Sequence, residues 1–132
     1  VPSYVTINSI EELNANKEKF GNEIIGIGSG AGIHRDTERA IEAYGLELDQ
    51  ITSSGPAMVA SLQRAERNQD WIVITGWKPH FKWANHDLKY LQDPKEIYPM
   101  DVCAILSRRG FEEDMPKVAD FFKKFSLTED EL

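Results

Sequence analysis

The chain has 132 residues, of which 41% are hydrophobic and 28% charged, and its 22 acidic and 15 basic side chains give a formal charge of -7. That length holds one compact domain with a real core, the composition excludes a disordered or disulfide-scaffold protein, and the negative charge offers nothing to nucleic acid or an anionic membrane surface. No run of about 18 apolar residues is present to span a bilayer.

Ser9 and Glu12 form a capping box ahead of Ile10, Leu13, Lys17 and Phe20, which predicts a first helix over about 10–20, ended by Gly21 and Asn22. Residues 24–27 (IIGI) read as a short buried strand, followed by the loop GSGAG at 28–32. A helix follows with Ile33, Thr37, Ala40, Ile41 and Tyr44 on one face and Gly45 as its stop. The alternation of Leu46, Leu48 and Ile51 predicts a second strand, and Ser53, Ser54, Gly55 and Pro56 make a turn into a helix marked by Met58, Val59, Leu62 and Ala65. The continuous apolar run 71–75 (WIVIT) reads as a third strand buried on both faces. Residues 88–91 and 102–106 read as further strands, and a last helix carries Val118, Phe121, Phe122 and Phe125 on one face. The single Cys103 has no internal disulfide partner and reads as a small buried side chain within 102–106. Near the end, Ser126 with Glu129 and Thr128 with Glu131 both read as capping boxes, so a helix is expected to start there.

Strands alternating with helices at this spacing predict right-handed βαβ units around a parallel sheet, an α/β fold. Ligands of such sheets bind beyond the carboxyl ends of the strands. Three segments converge there: the glycine loop 28–32, Ser53 with Ser54, and residues 76–80 (GWKPH). The loop opens a helix, so the backbone amides at Gly32 and Ile33, together with the helix dipole, suit an anion. The plainer role for the glycines is a sharp turn from strand to helix. A rival reading also stands: Gly26, Gly28 and Ala31 match the G-x-G-x-x-A dinucleotide fingerprint, with Glu47 and Asp49 near the acidic position, which makes a nucleotide-binding domain of an oxidoreductase the alternative. Against it, the chain supplies too few parallel strands for such a domain.

Trp77 follows a buried strand between Gly76 and Pro79, where an indole face at the crevice attracts quaternary ammonium groups by cation–π interaction, and packing is its plainer role. Trp71 and Trp83 read as packing residues, the latter in a patch with Phe81. His34, His80 and His86 lack metal-ligand spacing, and Ser29, Ser53 and Ser54 lack a nucleophile elbow or an ordered acid and His partner. Neither a metal, a cofactor nor a catalytic residue is expected. The acidic run at Glu112, Glu113 and Asp114 reads as a solvated loop and helix start.

Over nearly its whole length the chain resembles the glycine betaine and related quaternary-amine substrate-binding proteins of ABC importers. The likeness rests on residues 24–33 (IIGIGSGAGI), on Ser53 and Ser54 followed by Ala57 and Met58, and most specifically on 76–80 with 87–95 (DLKYLQDPK). The resemblance implies one lobe of a bilobed periplasmic-binding-protein fold of type II, a three-layer α/β/α lobe with a mainly parallel mixed sheet. It implies that 1–132 is this lobe, with 1–8 derived from the hinge and 126–132 the start of a truncated return helix. It further implies that Trp77 is one wall of a tryptophan cage for a trimethylammonium head, and that Gly32 and Ile33, with Ala31 beside them, take the ligand's carboxylate. The remaining walls belong to a second lobe of the same protein, so the chain carries a half-site for a betaine-type compatible solute. An ABC permease is the implied membrane partner and an extracytoplasmic setting the implied location. Two departures bear on ligand preference: Gly28 and Ser29 stand where the family usually has Asp-Pro, and Phe81 where a Trp is common.

Overall fold

Two apolar stretches, Ile24 with Ile25 and the run 71–75, lie side by side in the computed structural model, which describes residues 1–99, 104–128 and 131. Strand β1 (Glu23–Ile25) pairs in parallel with β2 (Asp49–Ile51), in the register Glu23 to Asp49, Ile24 to Gln50 and Ile25 to Ile51. On its other side β1 meets the run 71–75 through a parallel bridge between Ile25 and Ile74. There the Ile25 amide donates to the Val73 carbonyl at 2.9 Å and the Thr75 amide to the Ile25 carbonyl at 3.0 Å. The spatial order is therefore β2, β1, then 71–75, with the first strand in the middle. The expected third strand thus runs alongside β1 but is held there by a single bridge.

Period-two alternation sends successive side chains of these strands to opposite faces. Ile24 and Val73 join a buried cluster with Val5, Ile7, Leu13, Phe20, Leu46 and Leu48, against which Ile41 and Tyr44 of helix α1 (Gly32–Tyr44) pack. Ile25, Ile72 and Ile74 face the other way, onto Met58, Leu62 and Ala65 of helix α2 (Gly55–Asn68). Helices on both faces of a small sheet make the α/β/α layering. Met58 and Leu62 are wholly buried, and each such side chain contributes about 1.5–3 kcal/mol. Helix α1 ends at Gly45 in the left-handed region (φ 59°), as its sequence predicts.

The segment 10–20 departs from expectation. The Ser9–Glu12 capping box forms, but the residues wind as two 3-10 helices, Ile10–Glu12 and Asn14–Phe20, in place of one α-helix. Asparagine side chains account for the difference. Asn16 donates to the Glu12 carbonyl at 3.0 Å, while Asn14 donates to the Gly45 carbonyl at 2.7 Å and accepts from the Glu47 amide at 2.8 Å. The Asn16 bond takes the carbonyl that the α-helical ladder would use at that turn, while the Asn14 bonds hold the segment to the residues after α1. Residues 88–91 form no regular strand; Leu88 makes an isolated antiparallel bridge to Pro2 and Gln92 a parallel one to Ser9. Beyond them Asp93 accepts from the Tyr44 hydroxyl and, at 2.9 Å, from the Tyr98 amide. The Tyr98 hydroxyl in turn bonds Thr37 at 3.1 Å, so 93–98 is fastened along α1.

The chain divides into two units, Val1–Pro99 and Met100–Leu132. The second holds two short helices, Phe111–Asp114 and Pro116–Lys124, joined by an ion pair of Lys123 with Glu112, and Arg108 ahead of them pairs with Asp114. The run at Glu112, Glu113 and Asp114 is solvated as expected, although it forms a helical turn. The last predicted helix is present, and Phe121 contacts both Phe122 and Phe125 on it. Residues 104–106 are exposed and form no strand, while Val102 and Cys103 lie outside the described residues. Of the two capping boxes, Glu129 also lies outside them; Thr128 donates to the Glu131 carboxylate through its amide at 2.8 Å and its hydroxyl at 2.9 Å.

Candidate functional site

The carboxyl end of β1 is joined to the turn after β2, since the Gly26 amide donates to the Ile51 carbonyl at 2.9 Å and the Ser53 hydroxyl to the Gly26 carbonyl at 2.6 Å. Beneath this junction Gln50 Nε2 lies 2.9 Å from His34 Nδ1, and a Cβ at Gly26 would come to 3.0 Å of Gln50 Nε2, so a larger residue there would have to displace the Gln50 amide from His34. Gly28, Gly30 and Gly32 are different. None has a positive φ, and a Cβ on any of them would meet nothing within 4 Å. The turn itself does not demand these glycines, and the loop surface is open.

Ala31 is the N-cap of α1 with an extended backbone (φ -79°, ψ 144°), and it offers no side-chain cap. The amides of Gly32 and Ile33 open the helix and have no acceptor within it. Helix α2 makes the contrast clear: there Ser54 accepts from the Ala57 amide at 3.2 Å and Pro56 removes a donor, so that helix start leaves fewer amides open. Of the two helix starts at this edge, α1 is the better suited to an anion.

Trp77 leaves the neighbouring strand half-buried, resting with Ile25, Ile27 and Leu88 on the cluster around Met58 and Leu62. Its indole is fixed from several sides. Lys82 Nζ lies 3.8 Å from the ring centroid and donates to the Thr75 carbonyl at 3.2 Å. The His80 ring meets it edge-on at 4.8 Å, and Trp83 Nε1 donates to the Trp77 carbonyl at 2.8 Å. Trp83 itself packs on Tyr90 at 4.3 Å between centroids, whereas Phe81 stacks on His80, so the expected Phe81–Trp83 patch is split. Trp71 packs against Phe20, as expected.

Lys82 is 0% exposed, and burial lowers its pKa to about 8. Burial, and then the charge of Lys82, hold His80 below the ordinary imidazole value. The Lys82 amide donates to His80 Nδ1 at 3.1 Å, which makes that nitrogen the acceptor. The sequence reading did not single out Lys82 or the anchoring role of Trp83. The only signal at hand was the run of aromatic and basic side chains around Pro79, since no periodicity marks a lysine as buried.

The remaining candidates are dispersed. His34 contacts Gln50 and Glu38, His86 bonds Glu66 at 2.7 Å, and among the described residues no cluster of three His, Cys, Asp or Glu side chains suits a metal. Ser53 and Ser54 have structural bonds, and Ser29 is exposed on the loop. Glu47, one of the acidic residues of the dinucleotide reading, is exposed and paired with Lys17, which lowers its pKa. A depression of about 430 Å³ lined by Lys19, Arg64 and Trp71 lies at the start of the run 71–75, the end opposite the candidate edge.

Residues 1–132 match the family described as the substrate binding domain of the ABC-type glycine betaine transport system. The chain is 37% identical over 119 residues to the glycine betaine/carnitine transport binding protein GbuC of Listeria monocytogenes, covering 87% of this chain and 40% of that protein. Among solved structures it is similar to a glycine betaine/L-proline-binding protein of Borrelia burgdorferi (TM-score 0.81, 38% identity), covering 98% of this chain and 50% of the other. Lactococcal OpuAC in its closed form with glycine betaine is also similar (TM-score 0.81, 34% identity, 98% of this chain and 51% of the other). The chain thus spans about half the length of these solved structures.

Proposed function

The chain belongs to the family of substrate-binding domains of ABC-type glycine betaine transport systems, and from that premise we propose that it binds a betaine-type zwitterion at the carboxyl edge of its sheet. In this reading the ligand's carboxylate takes the amides of Gly32 and Ile33 beside Ala31, and its trimethylammonium head lies against the Trp77 indole on the face away from Lys82. The observation that carries it is the uncapped start of α1 following the strand next to the one that presents Trp77. The role we assign is binding, with no catalytic residue.

The rest of the reading follows from the family. Residues 1–132 act as one lobe, and 1–8 come from the hinge. The further walls of the cage come from a second lobe, supplied by the part of the relatives' length that this chain does not span. The intact protein closes on its ligand by hinge motion, delivers it to an ABC permease and works outside the cytoplasm. No described helix is long and apolar enough to cross a membrane.

One cation–π wall at about 0.5–2 kcal/mol and a few amide contacts fall at or below the roughly 4.1 kcal/mol of a millimolar complex. The 132-residue chain alone should therefore bind glycine betaine with a millimolar or weaker constant; a micromolar one would contradict the half-site. The test is an amide and indole NMR titration with glycine betaine, with NAD as control. Shifts centred on Trp77, Gly32 and Ile33 with betaine alone support the reading. A response of residues 26–31 to NAD without one to betaine overturns it.

A further inference from the structure

Lys82 is the part of this edge that the binding reading leaves without a task. Its side chain is wholly buried, and its ammonium is compensated by the Trp77 ring at 3.8 Å and the Thr75 carbonyl at 3.2 Å. Among the described residues no carboxylate lies within ion-pair range of it. A buried ammonium without a counter-charge disfavours folding, and an apolar side chain of similar length would fill the same space without that cost. Because Lys82 is inaccessible, the indole face it covers is the inner one. Any ligand must use the opposite face.

We propose that Lys82 is a specificity determinant of the Trp77 site, its buried positive charge favouring net-neutral zwitterions over monocations among quaternary ammonium ligands. The inference rests on Trp77 being a ligand wall. With a ligand head about 4–5 Å from the outer face, the two positive charges stand roughly 8 Å apart across the ring. At that separation in a partly desolvated site the repulsion is substantial. It acts alike on the head groups of glycine betaine and choline, but only the betaine carries a carboxylate that the same charge attracts. The expected discrimination is on the order of tenfold in the ratio of their affinities.

The groups facing Lys82 can be sorted by charge. His80 has a lowered pKa, from burial and then Lys82, and the Val1 amine is lowered to about 5 by burial, Lys89 and Lys82. Lys82 itself, with its pKa of about 8, loses its proton between about pH 7 and 9, above the value of about 5 for the Val1 amine and above the lowered imidazole of His80. Lys78, over the Trp83 ring, and Lys89 carry other positive charges nearby. The acidic side is represented by Glu66 of α2, which is bound to His86, whose amide donates to the Lys82 carbonyl.

The experiment is a titration of the 132-residue chain with glycine betaine and with choline, followed at the Trp77 indole by NMR, at about pH 7 and about pH 9.5, for the native chain and Lys82→Met. The betaine-to-choline affinity ratio of the native chain should fall about tenfold at the higher pH. In Lys82→Met it should already be low at neutral pH and no longer respond to pH. Should the variant not fold, the native pH comparison decides alone. A ratio that stays constant with pH overturns the specificity role while leaving betaine binding at Trp77 intact. Silence of Trp77 toward both ligands removes the binding reading and this inference together.

Discussion

Replacing Gly32 by proline separates the anion site from the helix that carries it. Gly32 is the first residue of α1, where proline's fixed φ is already helical and its missing N–H removes no intrahelical bond. The preceding Ala31 sits at φ -79° and ψ 144°, the extended conformation that a following proline imposes, and a Cβ at Gly32 would meet nothing within 4 Å. The folded state therefore accepts the change, and the unfolded chain loses freedom, so stability should hold or rise by about 0.4–1 kcal/mol. What is lost is one amide donor to a carboxylate. A hydrogen bond to a charged group contributes about 1.5–3 kcal/mol, and this one is exposed on the open loop, which places the expected loss near the lower end, roughly tenfold in the affinity for glycine betaine. Choline, which has no carboxylate, should bind Gly32→Pro as it binds the native chain. Urea unfolding reports the stability, and NMR titration the two affinities. A folded Gly32→Pro with unchanged betaine affinity refutes the amide contact, and a destabilisation above about 1 kcal/mol refutes the helix-start geometry.

Trp77→Ala should weaken betaine binding about 2- to 30-fold, with Trp77→Phe intermediate, as isothermal calorimetry at high ligand concentration can measure. Leu62→Ala, at a wholly buried position between α2 and the sheet, should cost about 2–5 kcal/mol in chemical denaturation, and a loss under 1 kcal/mol would mean that the layer packing is wrong. Lys82 also predicts a pH-dependent stability. The unfolded chain holds this proton up to its ordinary pKa of 10.5 and the folded chain only to about 8, so between those values the unfolded state binds more protons and stability rises with pH. At about 1.4 kcal/mol per pH unit the full effect is roughly 3 kcal/mol, present above 10.5 and lost as pH falls through 8. Tyr4, Tyr44 and Tyr98, each raised above 10.0 chiefly by burial, oppose it at the alkaline end. Denaturation at about pH 7 and 9.5 should therefore show a rise in the native chain that Lys82→Met lacks, and equal slopes would rule out a buried charge.

The elements with strong periodicity were legible in the sequence. The stripe of Ile33, Thr37, Ala40 and Ile41 marked α1, and that of Met58, Leu62 and Ala65 marked α2, because burial against a sheet imposes that spacing. Residues 10–20 carry comparable spacing, yet the Asn16 side chain takes the Glu12 carbonyl and Asn14 is held from outside the segment by Gly45 and Glu47, a tertiary tie that spacing does not report. Strand length was also overread: an apolar run reports burial, whereas a strand is defined by successive backbone pairings, and 71–75 makes only the one bridge to Ile25. At the candidate edge, glycine spacing and the post-strand tryptophan pointed to segments that follow neighbouring strands of the sheet. The supports were invisible. Nothing in the local pattern says that Lys82 turns inward or that the Trp83 indole holds the Trp77 carbonyl, since both follow from how 76–90 folds back on itself.

The fastening of 93–98 along α1 gives that helix the character of a lever. Its 13 residues extend about 20 Å, with Tyr44 held by Asp93 at one end and the open amides of Gly32 and Ile33 at the other. A pivot of about five degrees at the Tyr44 end swings the amides through more than 1 Å, a displacement comparable to the tolerance of a hydrogen bond. The Asp93–Tyr44–Tyr98 knot holds the helix at two points, Tyr44 and Thr37, and so braces the aim of its open amides against such a pivot.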